Sequence, residues 1–353
     1  MSKNKVKVGI IGLGAIGSVH ADAYRALPDA EISAVCDVAN TRLNEIGNKY
    51  NVRQKYNDYR ELLKSGVEAV SICVGNALHC EVALAALRAG KHILLEKPMA
   101  MNAAEAARIA AAGKKAKKII QIGMVRRQNE QVKIVRDYIQ KGFFGNIYHL
   151  RTVLIRRRGI PGLGGWFTTK SASGGGPLID LGVHWFDAAM HVSGLWNPTS
   201  VSAMNYAKFG RNMRQYRYVS MWAGPPNYNG TCDVEDYSVG LVRFGKTATM
   251  VFEIAWAANT EEQNYIDVLG DKGGARFLDG KPLAIFTENN NRIANVSPLT
   301  NESENIFHRQ AGIFIKACRG KCPPAATAEE GVTVMKLIDA VYASGKNGRE
   351  TAV

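Results

Sequence analysis

The 353-residue sequence has no Cys-x-x-Cys pair among its six cysteines, Cys36, Cys73, Cys80, Cys232, Cys318 and Cys322, which removes the commonest spacing of zinc sites and redox dithiols. Cys36 and Cys73 stand inside apolar runs, where a thiol behaves as a small hydrophobe, so a reducing compartment is expected. No apolar stretch approaches the roughly 20 residues that span a bilayer, and Met-Ser-Lys-Asn-Lys leads straight into an apolar run without the architecture of a signal peptide. Together these absences predict a soluble, cytoplasmic protein. The seven histidines show no metal-ligand spacing, so no metal is expected. Internal repeats and low-complexity tracts are missing as well. Acidic residues are outnumbered, 31 against 45 Lys and Arg, leaving +14. That excess is scattered apart from short runs such as Lys114-Lys115, Lys117-Lys118 and Arg156-Arg157-Arg158. No element that reads or stacks on nucleic acid accompanies it, so the balance admits anionic partners without selecting one.

What is present is core material: 46% of the residues are hydrophobic and 22% charged, near the average for globular chains, and the length suggests two domains. Val6–Ile11 is a short β-branched run closed by Gly12, and Ala15–Leu27 follows with helical spacing. The same alternation recurs. Strands are expected at Glu31–Cys36, Ala69–Val74, His92–Leu95 and Ile119–Ile122, with helices from about Thr41, Asp58, His79 and Asn102 between them. Asn102-Ala-Ala-Glu105 has the form of a capping box, and Gly90 and Gly113 are read as helix stops. Continuously apolar strands alternating with helices require a parallel sheet covered on both faces. Residues 1–125 are therefore read as a Rossmann-type, doubly wound α/β domain.

Residues 126–353 have a different texture and are read as one α+β domain with a large, mostly antiparallel sheet. Helices are expected at Glu130–Lys141 and Ala328–Ser344, and strands at Asn146–Ile155, Ser238–Phe244, Lys246–Trp256 and Gln263–Leu269. Lys246–Trp256 alternates cleanly, with Ala248, Met250, Phe252, Ile254 and Trp256 on one face, as a half-buried strand does. Met221–Gly230 is dense in turn formers and reads as a loop.

Gly12-Leu-Gly14-Ala15-Ile16-Gly17 follows the first strand and opens the first helix. In that context Gly12 permits the turn, Gly14 lets backbone approach a pyrophosphate, and Gly17 lets the helix pack closely, with Ala15 and Ile16 at the helix start beside the ligand. Asp37 ends the second strand 37 − 17 = 20 positions beyond the third glycine. A carboxylate there accepts hydrogen bonds from the adenosine ribose and repels a 2′-phosphate, so NAD is expected rather than NADP. Arg42 is the nearby cation that would reverse that preference.

The strand His92–Leu95 runs into Glu96-Lys97-Pro98, at the sheet edge where α/β proteins bind ligands. Further on, Gly174-Gly175-Gly176-Pro177 precedes Leu178-Ile-Asp180-Leu-Gly-Val-His184. Pro177 suits the start of a helix, which would put Asp180 and His184 four apart on one face. Oxidising an alcohol needs a group to take the hydroxyl proton, and His does so near neutral pH. The same spacing is also what an ordinary solvated helix pair shows.

The glycine motif, Asn76-Ala-Leu-His79, Glu96-Lys97-Pro98 and the Gly174–His184 stretch together resemble the glucose–fructose oxidoreductase/inositol dehydrogenase/MocA family across both domains. The resemblance implies a dinucleotide site that includes Asn76, His79, Glu96 and Lys97. It further implies that Lys97 polarises the reacting oxygen, that His184 is the principal acid/base, and that Asp180 binds substrate and steers His184. One departure is Val74-Gly75-Asn76, where the family usually has a Thr/Pro-containing turn. Arg126, Arg127, Arg158, Tyr265 and His308 are further substrate-binding candidates, and Tyr237 and Trp256 are candidates for stacking on a sugar.

The implied activity is NAD-dependent oxidation of a secondary hydroxyl of a cyclic polyol, sugar or glycoside, in a homodimer or homotetramer. Two alternatives use the same residues. One is a redox-neutral enzyme that cleaves or epimerises glycosides with NAD held throughout. The other is a non-catalytic regulator that binds a dinucleotide or sugar.

Overall fold

A computed structural model describes residues 5–217, 223–278, 280–300 and 305–353. Its contacts divide the chain into two compact units, residues 1–128 with 303–332, and residues 129–302 with 333–353. Among the described residues the strands form one sheet of six and one of nine.

The first unit alternates strictly. Its elements are β1 (Val6–Ile11), α1 (Ala15–Arg25), β2 (Ala30–Cys36), α2 (Asn40–Lys49), β3 (Gln54–Tyr56), α3 (Tyr59–Lys64), β4 (Ala69–Ile72), α4 (His79–Arg88), β5 (His92–Leu95), α5 (Ala103–Ala116) and β6 (Ile120–Ile122). All neighbouring strands are parallel, in the order β3-β2-β1-β4-β5-β6. The order reverses between β1 and β4, the switch point at which open α/β sheets bind ligands. Asn102 caps α5 as its sequence suggests, accepting from the Glu105 N–H at 2.9 Å. Gly90 takes a left-handed φ of 70° after α4, but Gly113 lies inside α5, which ends instead at Lys117 with φ 51°. The reason is packing: a Cβ on Gly113 would run into the Ile120 side chain of β6.

After residue 302 the chain contributes again to this unit. Helix α9 is numbered here after the strands of the second unit and spans Ile306–Cys318. It sets Ala311, Phe314 and Ile315 into the same core as Val8, Ile10, Tyr24 and Leu94. The returning segment also satisfies Gln121, a fully buried polar residue in the middle of β6. Its amide donates to Gln310 O at 3.0 Å and accepts from the Ala325 N–H at 3.0 Å. The single break expected after residue 125 does not describe this arrangement, because the apolar face of α9 is part of the first core.

The second unit runs α6 (Glu130–Gln140), β7 (Ile147–Ile155), α7 (Lys170–Ser173), a π-helical turn at Leu178–Gly182, α8 (Val183–Ser193), β8 (Ser200–Tyr206), β9 (Tyr237–Phe244), β10 (Ala248–Ala255), β11 (Gln263–Gly270), β12 (Gly274–Phe277), β13 (Ala284–Asn289) and β14 (Arg292–Val296). It closes with α10 (Ala328–Asn347), inside which the division of units falls, and β15 (Thr351–Ala352). The sheet order is β14-β13-β12-β11-β7-β10-β9-β8-β15. Among the described strands of this nine-stranded sheet only the β7–β10 pairing is parallel. The alternating face of β10 is buried as its pattern requires, and α8 lies on it, with Phe186 edge-on to Phe252 at 5.0 Å. Of the expected loop at Met221–Gly230, Met221 and Trp222 lie outside the described residues; Ala223–Gly230 runs through bends and turns.

Candidate active site

In the first unit the dinucleotide motif is built from backbone. Gly12 has φ 89°, and a Cβ there would lie 2.5 Å from the Cys73 carbonyl oxygen. A Cβ on Gly17 would overlap the Gly12 carbonyl oxygen. Gly14 is different, because its Cβ position meets only Arg42 Nη1, at 3.8 Å. The first helical bond of α1 runs from the Ser18 N–H to Gly14 O at 3.0 Å, which leaves the N–H groups of Ala15, Ile16 and Gly17 without helical acceptors at the positive end of the helix dipole. An open cradle over Gly14, faced by these donors, fits a pyrophosphate.

Asp37 follows β2 and is 7% exposed. Its Oδ2 accepts from the Leu13 N–H at 2.7 Å and its Oδ1 from the Ala39 N–H at 2.8 Å. The carboxylate is thus locked beside the glycine turn with further lone pairs to offer a ribose. Arg42, half-exposed, comes within 3.8 Å of Asp37 Oδ2.

The two other segments of this site are joined by His79. Its Nδ1 lies 2.7 Å from Pro98 O and its Nε2 3.0 Å from Val74 O, so the ring spans the turn before Asn76 and the turn after Lys97. Burial pushes its pKa down against the pull of both carbonyls. Its contribution is to place those backbones. Asn76 is buried in the short turn that precedes α4, and the Cβ position of Gly75 is open. Lys97 is half-buried at the end of β5, and the Lys97–Pro98 peptide is cis. Glu96 is 6% exposed and points into the unit, with Oε1 2.9 Å from His20 Nε2 and Oε2 accepting the Lys97 N–H at 3.2 Å.

In the second unit Asp180 lies within the π turn and His184 at the start of α8. The Val183 N–H reaches five residues back to Leu178 O, so the expected plain α-helical spacing is widened here. Such turns recur at functional sites. Asp180 is 7% exposed, and its Oδ2 accepts from the indole Nε1 of Trp256 at 3.1 Å. Trp256 is fully buried and therefore positions the carboxylate instead of stacking on a ligand. His184 is half-buried.

Glu235 secures the start of this helical stretch. It accepts from the Gly176 N–H at 3.0 Å, the Leu178 N–H at 3.2 Å and the Tyr342 hydroxyl at 2.9 Å. A carboxylate at a helix N-terminus is favoured by the dipole, although burial raises the pKa of Glu235. Two of the three glycines before Pro177 follow from this cap. A Cβ on Gly175 would strike the Tyr342 hydroxyl and one on Gly176 the Glu235 carbonyl.

Several substrate-binding candidates are committed elsewhere. Arg127 is 3% exposed and pairs with Glu330 at 2.8 Å and Ala325 O at 2.9 Å. Arg158 donates to Ala258 O at 2.9 Å and Asn259 Oδ1 at 2.5 Å and lies over the Phe209 ring. Tyr265 packs on the Val153, Ile155, Ala255 and Ala258 cluster beside Tyr237, with the Arg276 guanidinium 4.1 Å above its ring. Arg126 is half-buried just after β6, and His308 lies on α9 of the first unit. His20, Glu235 and Tyr342 were not singled out from sequence. The acidic pair Glu235-Asp236 at the mouth of an apolar strand was the available signal for one of them. Among the described residues no group of His, Cys, Asp and Glu side chains could hold a metal ion, and no helix is long and apolar enough to cross a membrane.

Residues 6–124 match the family model described as the oxidoreductase family, NAD-binding Rossmann fold, and residues 132–276 match the GFO/IDH/MocA C-terminal domain. The chain is 32% identical to the D-glucoside 3-dehydrogenase of Escherichia coli (strain K12), over 99% of this chain and 97% of that protein. It is 33% identical to the myo-inositol 2-dehydrogenase of Thermotoga maritima, over 54% of this chain and 55% of that one. In fold it is similar to levoglucosan dehydrogenase solved in complex with NADH, with a TM-score of 0.86 at 21% identity over 99% of each chain. With its glycine turn and Asp37 in place, this chain belongs to the Gfo/Idh/MocA family of oxidoreductases and uses NAD.

Proposed function

We propose that this protein oxidises a secondary hydroxyl of a pyranose sugar or glycoside, with C3 of a D-glucoside as the preferred position. The carrying observation is the likeness to D-glucoside 3-dehydrogenase, which runs the length of both chains, whereas the myo-inositol enzyme matches little more than half. When bound, NAD supplies the hydride acceptor. The chain's own residues handle the proton. In this reading His184 takes the hydroxyl proton, Lys97 lowers the energy of the oxygen as it gains charge, and Asp180 holds a neighbouring hydroxyl. The Trp256 indole supports that role, because it fixes one carboxylate oxygen of Asp180 and with it the carboxylate plane.

The test is to follow reduced-nicotinamide absorbance with the purified protein, NAD, and a panel of methyl D-glucosides, D-glucose, levoglucosan and myo-inositol, with product analysis from the same tubes. Fastest growth with the glucosides and a 3-keto product are expected. Fastest growth with myo-inositol would overturn the substrate class. Consumption of glucoside under a flat trace would replace oxidation with redox-neutral chemistry.

We also propose that the protein is a homo-oligomer joined through the large sheet. Exposed Met204, Tyr206, Phe286, Ile293 and Val296 on β8, β13 and β14 support this. A monomer mass by light scattering would remove the proposal.

A further inference from the structure

Behind the Glu96-Lys97-Pro98 turn, inside the first unit, lies a connected set of buried polar side chains to which the proposed reaction assigns no task. Tyr24 and His20 stand one turn apart on α1, Ser71 lies in β4, and Glu96 follows β5. The Tyr24 hydroxyl is 2.7 Å from Ser71 Oγ, Ser71 Oγ is 3.1 Å from His20 Nδ1, and His20 Nε2 is 2.9 Å from Glu96 Oε1. The other oxygen of Glu96 accepts the Lys97 backbone N–H. All four side chains are buried. Buried ionisable groups are costly unless each polar atom is matched, so such a set holds one geometry or fails as a whole. The Glu96 carboxylate occupies the space that Gly123 leaves open, since a Cβ there would lie 2.6 Å from its Oε1.

The arrangement links two parts of the site. Helix α1 presents its N-terminal N–H groups to the dinucleotide cradle, and His20 hangs from the second turn of that same helix. Through Glu96 it reaches the backbone of the residue that carries the amine. We propose that the buried His20–Glu96 couple is a positioning element for Lys97, setting the lysine's backbone against the helix that cradles the dinucleotide. This rests on the reading of Lys97 as a catalytic residue. A lysine side chain is long and rotamer-rich, so the placing of its amine depends on how firmly its backbone is held, and misplacement of a reacting group by about 1 Å can cost on the order of 100-fold in rate.

The test replaces the pair by apolar residues of similar volume, His20→Leu with Glu96→Met, an exchange that commonly leaves stability intact. NADH titration by fluorescence, a thermal melt and turnover of a methyl D-glucoside are then measured together. Melting is expected to stay near wild type while kcat falls at least about tenfold, and by more than any change in NADH affinity. Glu96→Gln keeps an acceptor on the Lys97 N–H and donates to the neutral ring, and it is expected to recover most of what the apolar pair loses. A substrate-independent arm measures the rate at which acetic anhydride acetylates Lys97, by mass spectrometry of its peptide. That rate is expected to change severalfold in the apolar pair and to return in Glu96→Gln. An unchanged Lys97 acetylation rate, or wild-type kcat in the apolar pair, would overturn the proposal. Where wild type turns over no sugar at all, the proposed function fails, and the acetylation arm still decides the positioning role.

Discussion

The two units prepare their parts of the chemistry by different means. In the first, the important residues are neighbours in sequence: three glycines within six positions, and Glu96, Lys97 and Pro98 in a row. A parallel sheet delivers the carboxyl end of every strand to one edge, so a short motif after each strand is enough. In the second, Asp180 depends on Trp256, 76 residues away, and the helix it occupies is capped by Glu235, 59 residues from Gly176. The first site is made by backbone that only glycine permits. The second is made by buried side chains that arrive from other elements, so its integrity is a property of the whole sheet.

The contrast is most directly tested at the two residues proposed to handle the proton and the reacting oxygen, one in each unit. His184→Ala and Lys97→Ala are each expected to lower kcat by roughly 10²–10⁴-fold with NADH affinity near wild type by fluorescence titration. An equal loss of NADH binding in either would place that residue in the dinucleotide cradle instead.

A smaller effect separates the glycines. Gly17→Val drives a side chain into the Gly12 carbonyl, and overpacking of this kind costs about 1–3 kcal/mol, read as a lower melting temperature together with lost NADH binding. Gly14→Ala has space for its methyl group and should melt like wild type while binding NADH more weakly. Identical melting of the two variants would show that the turn is not built as described.

In the second unit the corresponding probe is Trp256→Phe. It deletes one hydrogen bond to a carboxylate and keeps an aromatic ring, smaller than the indole, in the core, for a loss of about five- to tenfold in kcat/KM with no change in NADH affinity. Activity equal to wild type would mean that Asp180 is held by its own helix alone.

The smallest effect concerns pH. Burial lowers the pKa of His20, but the Cys73 sulfur and Glu96 outweigh it and bring the value from 6.5 to about 10. The sign follows from linkage: stability contributed by the charged ring is complete below 6.5 and is lost as pH rises through the raised value. Urea midpoints should therefore fall between pH 7 and pH 10 more steeply in wild type than in the variant lacking the His20–Glu96 pair. Parallel slopes would show that His20 does not carry the charge.

Legibility followed the same division. Five strands and the helices between them in residues 1–125 were legible to within a few residues, because apolar runs and glycine stops report local geometry, whereas β3, three residues long with no buried position, gave no such signal. Gly113 misled for a physical reason: its missing Cβ serves the neighbour Ile120, and a lone glycine does not distinguish a stop from a close approach. In the second unit Asp180 and His184 were visible in their motif, but the π turn that sets their spacing was not. Trp256 looked like a sugar platform because an aromatic at a strand end carries no sign of which way it faces. Arg127 and Arg158 read as substrate-binding candidates because their acceptors, Glu330, Ala258 and Asn259, lie far along the chain and leave no local sign of the pairing. The helix of residues 306–318 was not expected from the sequence, and only the structure says which core receives its apolar face.

That last helix also bears on the order in which the protein is made. Phe314 and Ile315 complete the core of the first unit, yet they emerge from the ribosome long after residue 128. The gap to Cys318 is 318 − 128 = 190 residues, and at about 5–20 residues per second it takes roughly 10–40 s to translate. For that time the nascent Rossmann sheet waits with the α9-binding side of its core, around Val8, Ile10 and Tyr24, uncovered. During synthesis, then, the dinucleotide-binding unit is the first begun and among the last finished, and the expressed fragment 1–128 would be a core with one wall missing.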